Sequence, residues 1–318
     1  MQRPCRARDA PAAYGGLIER HTHDLTLLRY GANDPTTRVM QAGDLTHIER
    51  ATLTPDGPGA ISITVGDGHD AQAIIRVDAW GYGADWLRAR ALGLCARATT
   101  DAVVTASLRG HHTVVDSALR RFGTLHLPST NTPYHELLPA ILGQRITAAQ
   151  ALSQWARLCE RYGDPAPGPL GLRLPPTPQR LLRVASWEFH RLGIEEQRAR
   201  TLRVAARHAR YVDRTREMCG VDARSALMKL PGIGAWTAAV TVGVSHGDPD
   251  ALPVGDFHVK NTVAWALTGR ARGTDEEMLA TLEPYAGQRW RVVRLLEKSG
   301  CGAPKFGPKR RLLDIAAL

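Results

Sequence analysis

The hydrophobic pattern of the chain changes near residue 130, and this change constrains the fold more than any other feature. Before it, Thr, Val and Ile are frequent and apolar residues alternate with polar ones, which is the period of a half-buried β-strand. After it, apolar residues recur at helical spacing almost to the end. The sequence therefore predicts an α+β domain with a small antiparallel sheet over residues 1–130, followed by an all-α region of two helical subdomains over residues 131–300.

The same patterns predict where individual elements lie. In the first part we expect strands at residues 24–30, 61–65 and 73–77, and helices at residues 85–94 and 114–122. In the second part the periodicity predicts helices at residues 134–144, 148–162, 179–184, 195–212, 222–229, 236–245, 257–267, 276–282 and 288–298. Residues 301–318 are predicted to form a basic C-terminal tail on the surface.

The chain is strongly basic. Its 318 residues include 41 Lys and Arg against 31 Asp and Glu, which gives a formal net charge of +10. Such an excess of cations favours a polyanionic partner, most often a nucleic acid. The apolar fraction of 43% is sufficient for a buried core, so the composition excludes an intrinsically disordered chain.

The five cysteines are scattered, and no two of them have metal-ligand spacing. They do not form a disulfide framework and fit a reducing, cytoplasmic location. The N-terminal residues lack the apolar segment of a signal peptide. No run of about 18 uncharged apolar residues predicts a membrane span, so no membrane partner is expected.

Residues 230–238 read Leu-Pro-Gly-Ile-Gly-Ala-Trp-Thr-Ala and lie between two predicted helices. Pro231 ends the first helix, while Gly232 and Gly234 permit positive φ and a close approach of a partner to the backbone. Ile233 is apolar and is expected to anchor the hairpin in the core. The second helix begins with free N–H groups, which favour an anion such as a DNA phosphate. An ordinary connection between two helices has the same pattern, so both interpretations stay open.

Asp256 follows the hairpin and directly precedes the predicted helix at residues 257–267. Pro253 and Gly255 stop and redirect the chain before it. Asp is a favoured N-cap residue, so capping alone explains this position as well as a catalytic role does.

The hairpin, followed at this spacing by Asp-Phe-His-Val-Lys at residues 256–260, resembles the helix-hairpin-helix DNA glycosylase superfamily, most closely its 3-methyladenine DNA glycosylase II group. Three further segments agree with the resemblance: residues 141–147, residues 192–199, and the stretch from Glu-Pro-Tyr at 283 to Trp-Arg at 290. The resemblance covers residues from about 134 to 300, and it implies that the all-α region is a helix-hairpin-helix glycosylase domain.

The resemblance implies a monofunctional enzyme that flips an alkylated purine out of double-stranded DNA and hydrolyses its N-glycosidic bond in base excision repair. Asp256 is then the catalytic carboxylate. This chemistry is sensible by itself, since a fixed carboxylate stabilises an oxocarbenium-like sugar and can orient or deprotonate the attacking water. Superfamily members that also cut the strand carry a Lys nucleophile at the position of Trp236, and Trp cannot replace it.

The resemblance also assigns the other site residues. The base pocket would be lined by Trp236, Val240, Trp187 and Tyr134, although the last two also fit the core and Val240 replaces an aromatic side chain. The hairpin residues that would contact the DNA backbone are Leu230, Gly232, Ile233, Gly234, Ala235 and Thr237. Gln144 and Arg145 would form the wedge at the gap left by the flipped base, with Arg145 in place of a Leu. Near Arg294 the chain lacks an aromatic pair of the reference member, which leaves neutral lesions or bulky adducts open as substrates.

No cofactor is expected. An iron–sulfur cluster needs four closely spaced cysteines, and only Cys301 follows the predicted catalytic helix. The resemblance implies at most one monovalent cation, held by the backbone carbonyls of Leu230 and Ile233 in support of phosphate binding. A monomer with a cytoplasmic, nucleoid-associated location is the default expectation.

Two alternatives to this function remain open. One is a bifunctional oxidised-purine glycosylase/lyase, which shares the layout of an α+β domain followed by helices; Trp236 argues against it. The other is a non-catalytic helix-hairpin-helix DNA-binding protein, which would bind damaged and intact duplexes equally and release no base.

Overall fold

The computed structural model describes residues 14–19, 24–43, 45–67, 72–95 and 102–304. The basic residues predicted for the tail from 305 onward lie outside the described residues. None of the helices in the described part combines the length and apolar character that crossing a bilayer would require.

A five-stranded antiparallel sheet forms the N-terminal part, in the spatial order β1-β5-β4-β3-β2. Its strands are β1 (Tyr14–Glu19), β2 (Thr37–Ala42), β3 (Leu45–Thr54), β4 (Gly57–Asp67) and β5 (Gln72–Gly81). At the β3–β4 turn, the Thr54 hydroxyl donates to the carbonyl of Gly57, whose φ of +122° suits glycine. The predicted α+β architecture, with a small antiparallel sheet followed by helices, is confirmed.

The predicted strands at residues 61–65 and 73–77 are the central parts of β4 and β5. The strand predicted at residues 24–30 is wrong, because this segment contains a short 3-10 helix, Leu25–Leu28. Leu25 and Leu28 are both buried, and their spacing of three places them on one face of a 3-10 turn. The hydrophobic pattern of residues 24–30 therefore comes from the buried face of a 3-10 helix and not from the buried face of a strand.

Within the described residues, fifteen α-helices follow the sheet. They are α1 (Ala84–Arg88), α2 (Ala91–Leu94), α3 (Ala102–Leu108), α4 (Thr113–Phe122), α5 (Pro133–Leu142), α6 (Ala148–Tyr162), α7 (Pro178–Arg183), α8 (Ser186–Arg191), α9 (Glu196–Arg207), α10 (Ala209–Arg214), α11 (Gly220–Met228), α12 (Ala235–Ser245), α13 (Val259–Thr268), α14 (Asp275–Thr281) and α15 (Arg289–Lys298). The capping box of Thr147 and Gln150 begins α6 where the sequence predicts.

Two predicted helices are each divided in the structure. The helix expected at 195–212 is broken at His208, whose backbone (φ −105°, ψ 20°) leaves helical geometry between α9 and α10. The helix expected at 85–94 forms the short α1 and α2. Helix α8 was not predicted, and Glu188 stabilises its start by accepting from the backbone N–H of Ala185.

The helices bury their apolar faces in two clusters. One contains side chains of α5, α6, α9, α11 and α12, and the other contains side chains of α4, α13, α14 and α15. The sheet has a third cluster, which it shares with α1 and α2. The domain boundaries at residues 130 and 300 stay predictions.

A buried polar network joins the sheet to the helices. Arg50 of β3 and Glu136 of α5 form an ion pair (NH2 to Oε1, 2.5 Å), with 1% and 0% of the side chains exposed. Hydroxyls of Tyr30, Thr130 and Thr132 also donate to the Glu136 carboxylate. Because both charges are buried, each depends on the other to remain inside the protein.

His135 lies in the same network as a neutral imidazole. Its Nδ1 faces the Arg50 guanidinium, which can only donate, so Nε2 carries the proton toward Thr36. Burial, and next the charge of Arg50, hold the pKa of His135 well below its ordinary value. The folded protein thus binds one proton fewer than the unfolded chain at mildly acidic pH.

We expect the free energy of unfolding to fall as the pH drops below about 6.5, the ordinary pKa of histidine. Above this pH the His135 imidazole is neutral in both the folded and the unfolded state, so it does not lower the free energy of unfolding. Below this pH the imidazole binds a proton only in the unfolded chain, which stabilises the unfolded state. Urea unfolding at pH 7.5 and 5.5 measures the loss. The variant His135→Gln should lose less stability than the wild type between these two pH values, and an equal loss would contradict the assignment.

Candidate active site

A cleft of about 300 Å³ opens between the two helical clusters. Helix α12 contributes Val240 and Val244 to one wall, and helix α15 contributes Trp290, Arg294 and Glu297 to the opposite wall. The other side chains that line it are Leu27, Ala251, Pro253, Asp256, His258 and Val259. The volume suits a small molecule, and Asp256 is the carboxylate at the start of α13 that faces it.

The carboxylate of Asp256 is held in place by three N–H donors. Its Oδ1 accepts from the N–H groups of His258 (2.7 Å) and Val259 (3.1 Å), and its Oδ2 accepts from Nε1 of Trp236 (2.9 Å). Gly255, with φ of +90°, makes the turn that presents it. Asp256 therefore caps α13 and also faces the cleft, so the capping and catalytic interpretations of the sequence are compatible.

Trp236, at the start of α12, connects the hairpin to this carboxylate. Its ring packs so closely on Gly143 that a Cβ there would lie 3.1 Å from the ring atom Cη2. Trp236 is thus held between Gly143 and Asp256, although it is not among the side chains that line the cleft. Of the predicted base-pocket residues, Val240 lines the cleft directly.

The hairpin at residues 229–234 has the predicted anchor. Leu230 and Ile233 are buried in the apolar cluster, whereas Gly232 and Gly234 are exposed. Gly232 has a φ of +85°, and a Cβ there would clash with the Thr201 hydroxyl. Gly234 has an ordinary φ of −97°, and a Cβ there would meet nothing within 4 Å. Of the two glycines, only Gly232 is required by the fold.

The first turn of α12 leaves backbone donors beside Gly234. The N–H groups of Ala235, Trp236 and Thr237 have no carbonyl partner within the helix, as at any helix N-terminus. Together with the dipole of α12 they form a site that suits an anion.

Gln144 and Arg145 lie at the turn that follows α5. The Gln144 side chain donates to the Gly232 carbonyl and the Thr237 hydroxyl, both at 2.9 Å, so it binds the hairpin in this structure. Arg145 is exposed and has a φ of +59°, a conformation that is strained for a residue with a Cβ. Arg198 supports the same turn from α9 by donating to the Leu142 carbonyl.

Two predicted pocket residues lie elsewhere. Tyr134 is 3% exposed in the apolar cluster, and its hydroxyl donates to the Pro176 carbonyl. Trp187 is 59% exposed on α8, beneath the Arg191 guanidinium. Neither lines the cleft. Both were predicted as pocket residues because they are aromatic, and aromatic identity alone does not indicate which way a side chain faces.

Residues 138–286 match the sequence model of the HhH-GPD superfamily, described as base excision DNA repair proteins. This segment belongs to the HhH-GPD superfamily. It contains the hairpin, Trp236 and Asp256, and of these Asp256 lines the cleft.

Two curated relatives match part of this chain. It is 32% identical to DNA-3-methyladenine glycosylase 2 of Escherichia coli over 131 residues, which is 39% of this chain and 46% of that protein. It is 29% identical to a probable bifunctional transcriptional activator/DNA repair enzyme AlkA of Mycobacterium tuberculosis over 138 residues, 42% of this chain and 27% of that protein. The chain therefore spans less than half the length of these relatives.

Among solved structures, the chain is similar to a 3-methyladenine DNA-glycosylase from Archaeoglobus fulgidus. The TM-score is 0.68 at 19% identity, and the match covers 89% of this chain and 98% of that one. This likeness establishes the fold, including the arrangement of the sheet region before the HhH-GPD segment.

Several cleft residues were missed by the sequence analysis, and four of them lie outside the HhH-GPD segment. Trp290, Arg294 and Glu297 follow it, and Leu27 precedes it. Trp290 lies against Gly243 of α12, where a Cβ would be 3.3 Å from its indole nitrogen. The spacing of 290, 294 and 297 on one helical face was the available signal.

Proposed function

We propose that this protein is a monofunctional DNA glycosylase that excises alkylated purines of the 3-methyladenine type from double-stranded DNA, as a monomer in base excision repair. The observation that supports this most is the hydrogen-bonded carboxylate of Asp256, which faces a cleft of about 300 Å³ beside an anion-binding hairpin. One element would hold the backbone while the other acts on the sugar of the extruded nucleotide.

Asp256 would act on the sugar rather than on the base. Its three donors are N–H groups, so the carboxylate accepts all of these bonds in its ionised form. A negative charge held at this point stabilises the positive charge that develops on the sugar as the glycosidic bond breaks. The same oxygen atoms can orient the attacking water or accept its proton.

The lysines near the cleft support a monofunctional reaction. A lyase step needs an amine at the sugar, and no lysine is among the described side chains that line the cleft. Lys260 donates to Asp275 at 2.9 Å, and Lys229 is exposed at the end of α11. Trp236 occupies the position beside Asp256 instead.

Contacts with DNA are proposed for the hairpin and for the neighbouring turn. The free N–H groups of Ala235 to Thr237 would hold a phosphate, and the exposed Arg145 would enter the gap left by the base. Gln144 would link the hairpin to the turn that carries Arg145, since its side chain donates to the Gly232 carbonyl and the Thr237 hydroxyl. The net charge of +10 would add an attraction that does not depend on sequence and weakens steeply with salt.

A monovalent cation at the hairpin carbonyls also stays a proposal. The Leu230 carbonyl accepts the N–H of Ile233 at 3.1 Å and keeps a second lone pair, so its chemistry fits such an ion. Leu230 and Ile233 would hold the ion, which would add positive charge beside the bound phosphate. A cytoplasmic, nucleoid-associated location would follow from a DNA substrate.

The substitution Gly234→Val should weaken binding to damaged and intact duplexes equally, by about tenfold or more. The new side chain would project into open space in the free protein and obstruct only a bound backbone. Fluorescence anisotropy with both duplexes measures the two affinities, and thermal unfolding checks the fold. Unchanged affinity would exclude the hairpin as a phosphate site.

The function is tested by release of free bases from duplexes that carry 3-methyladenine, 7-methylguanine, hypoxanthine or 1,N6-ethenoadenine. We expect release of at least one base and an abasic site in an uncut strand. A protein–DNA adduct trapped by borohydride would instead indicate the glycosylase/lyase alternative. No release from any duplex, with equal affinity for damaged and intact DNA, would indicate the non-catalytic alternative.

A further inference from the structure

One wall of the cleft is charged, although the opposite wall is apolar. Trp290, Arg294 and Glu297 are separated by four and three residues on α15 and therefore share one face of the helix. All three line the cleft opposite Val240 and Val244 of α12. A base between these walls would contact one indole ring and two charged groups.

The charged groups are held in place by a contact with the N-terminal region. Arg294 donates through Nε to Asp24 at 2.6 Å and through NH2 to the Thr26 hydroxyl at 2.8 Å. Its NH1 donates to Oε2 of Glu297 at 2.5 Å. With its donors engaged by these partners, Arg294 fixes the Glu297 side chain at the cleft wall.

Glu297 keeps one oxygen atom for a ligand. Among the residues that the structure describes, Oε2 accepts from Arg294, and no partner is found for Oε1. The side chain is 30% exposed, and it lines the cleft. This oxygen can therefore accept a hydrogen bond from a bound base or face its positive charge.

The described charged side chains around the cleft have a net negative charge. Among the described residues, the carboxylates of Asp256 and Glu297 line the cleft together with the Arg294 guanidinium, and the carboxylate of Asp24 pairs with that guanidinium. His258 also lines the cleft. A cation that enters the cleft is attracted there, because the apolar wall and the partial burial reduce screening by water.

We propose that Glu297 is a specificity-determining residue, whose carboxylate selects a positively charged base in a cleft that has few aromatic walls. This inference rests on the proposed glycosylase function and extends it. Purines methylated at N3 or N7 carry a positive charge in DNA, whereas deaminated purines such as hypoxanthine are neutral. Glu297 would therefore favour the first class and leave the second unaffected.

The test compares full-length wild type with Glu297→Gln, which keeps the shape and an oxygen that accepts from Arg294. Single-turnover release is measured from duplexes with 7-methylguanine, a cationic lesion, and with hypoxanthine, a neutral one. We expect the rate for 7-methylguanine to fall at least about tenfold and the rate for hypoxanthine to change by less than about twofold. The hypoxanthine rate also verifies that the variant is folded.

The exposed Glu217 provides a matched control, since Glu217→Gln removes the same charge outside the cleft. Equal losses for both lesions, or no loss for either, would overturn the role of Glu297 while the glycosylase function stands. If the wild type releases no base from any duplex, the proposed function fails and the inference fails with it.

A pH series provides a second readout. Burial raises the pKa of Glu297; Arg294 opposes this shift, Asp24 and Asp256 add to it, and His258 opposes it. Protonation removes the negative charge, so the advantage of wild type over Glu297→Gln with 7-methylguanine should shrink as the pH falls from 7.5 to 5.5. An advantage that stays constant over this interval would contradict a charge-based selection.

Discussion

Replacing Asp256 by Asn should reduce base release by at least about a thousandfold, equivalent to about 4 kcal/mol of transition-state stabilisation. The amide has no charge to offset the positive sugar, and it cannot accept a proton from water. The fold should be retained, because an Asn oxygen still accepts the N–H groups of His258 and Val259. Duplex binding should stay within about twofold, since the proposed phosphate contacts lie on the hairpin.

Single-turnover release from the best substrate of the lesion panel measures this effect, and anisotropy with the same duplex measures affinity. Asp56→Asn is the matched control, since it changes an exposed carboxylate in the β3–β4 turn far from the cleft. Base release by Asp256→Asn at the wild-type rate would remove this carboxylate from the chemistry, whatever the family resemblance implies.

Replacing Glu136 by Gln should lower the free energy of unfolding by about 3–5 kcal/mol. The change leaves the buried Arg50 guanidinium without a counter-charge. It also turns one carboxylate oxygen into an NH2 group that faces other donors, the hydroxyls of Tyr30, Thr130 and Thr132 among them. The loss should be seen in all parts of the chain that depend on contact between the sheet and α5.

Urea unfolding followed by circular dichroism measures the free energy. Glu196→Gln serves as the comparison, because its ion pair with Arg200 is exposed and contributes about 0–1 kcal/mol. If Glu136→Gln unfolds at the same urea concentration as the wild type, the buried pair does not carry the stability assigned to it.

The sequence was most informative where local chemistry determines structure. The hairpin could be predicted because Pro231 ends one helix and Gly232 needs a positive φ, and both are local requirements. Asp256 could be predicted because its position and neighbours resemble those of known glycosylases. The α6 helix could be placed because its apolar residues recur at helical spacing.

Long-range contacts could not be predicted in this way. Asp24 and Arg294 are 270 residues apart in sequence, and nothing local indicates that they meet. Gln144 was expected to face DNA, but its distance to the Gly232 carbonyl depends on how α5 packs on α12. Tyr134 and Trp187 differ in burial for the same reason, since tertiary packing rather than residue type decides which aromatic ring is covered.

Because Asp24 forms an ion pair with Arg294, residues from both ends of the described chain contribute to the structure of the cleft. A fragment limited to residues 138–286 would retain the hairpin and Asp256 but lack the helix that faces them. We therefore expect substitutions near residue 24, distant in sequence from Asp256, to change the proposed lesion preference without altering the proposed contacts of the hairpin with the DNA backbone.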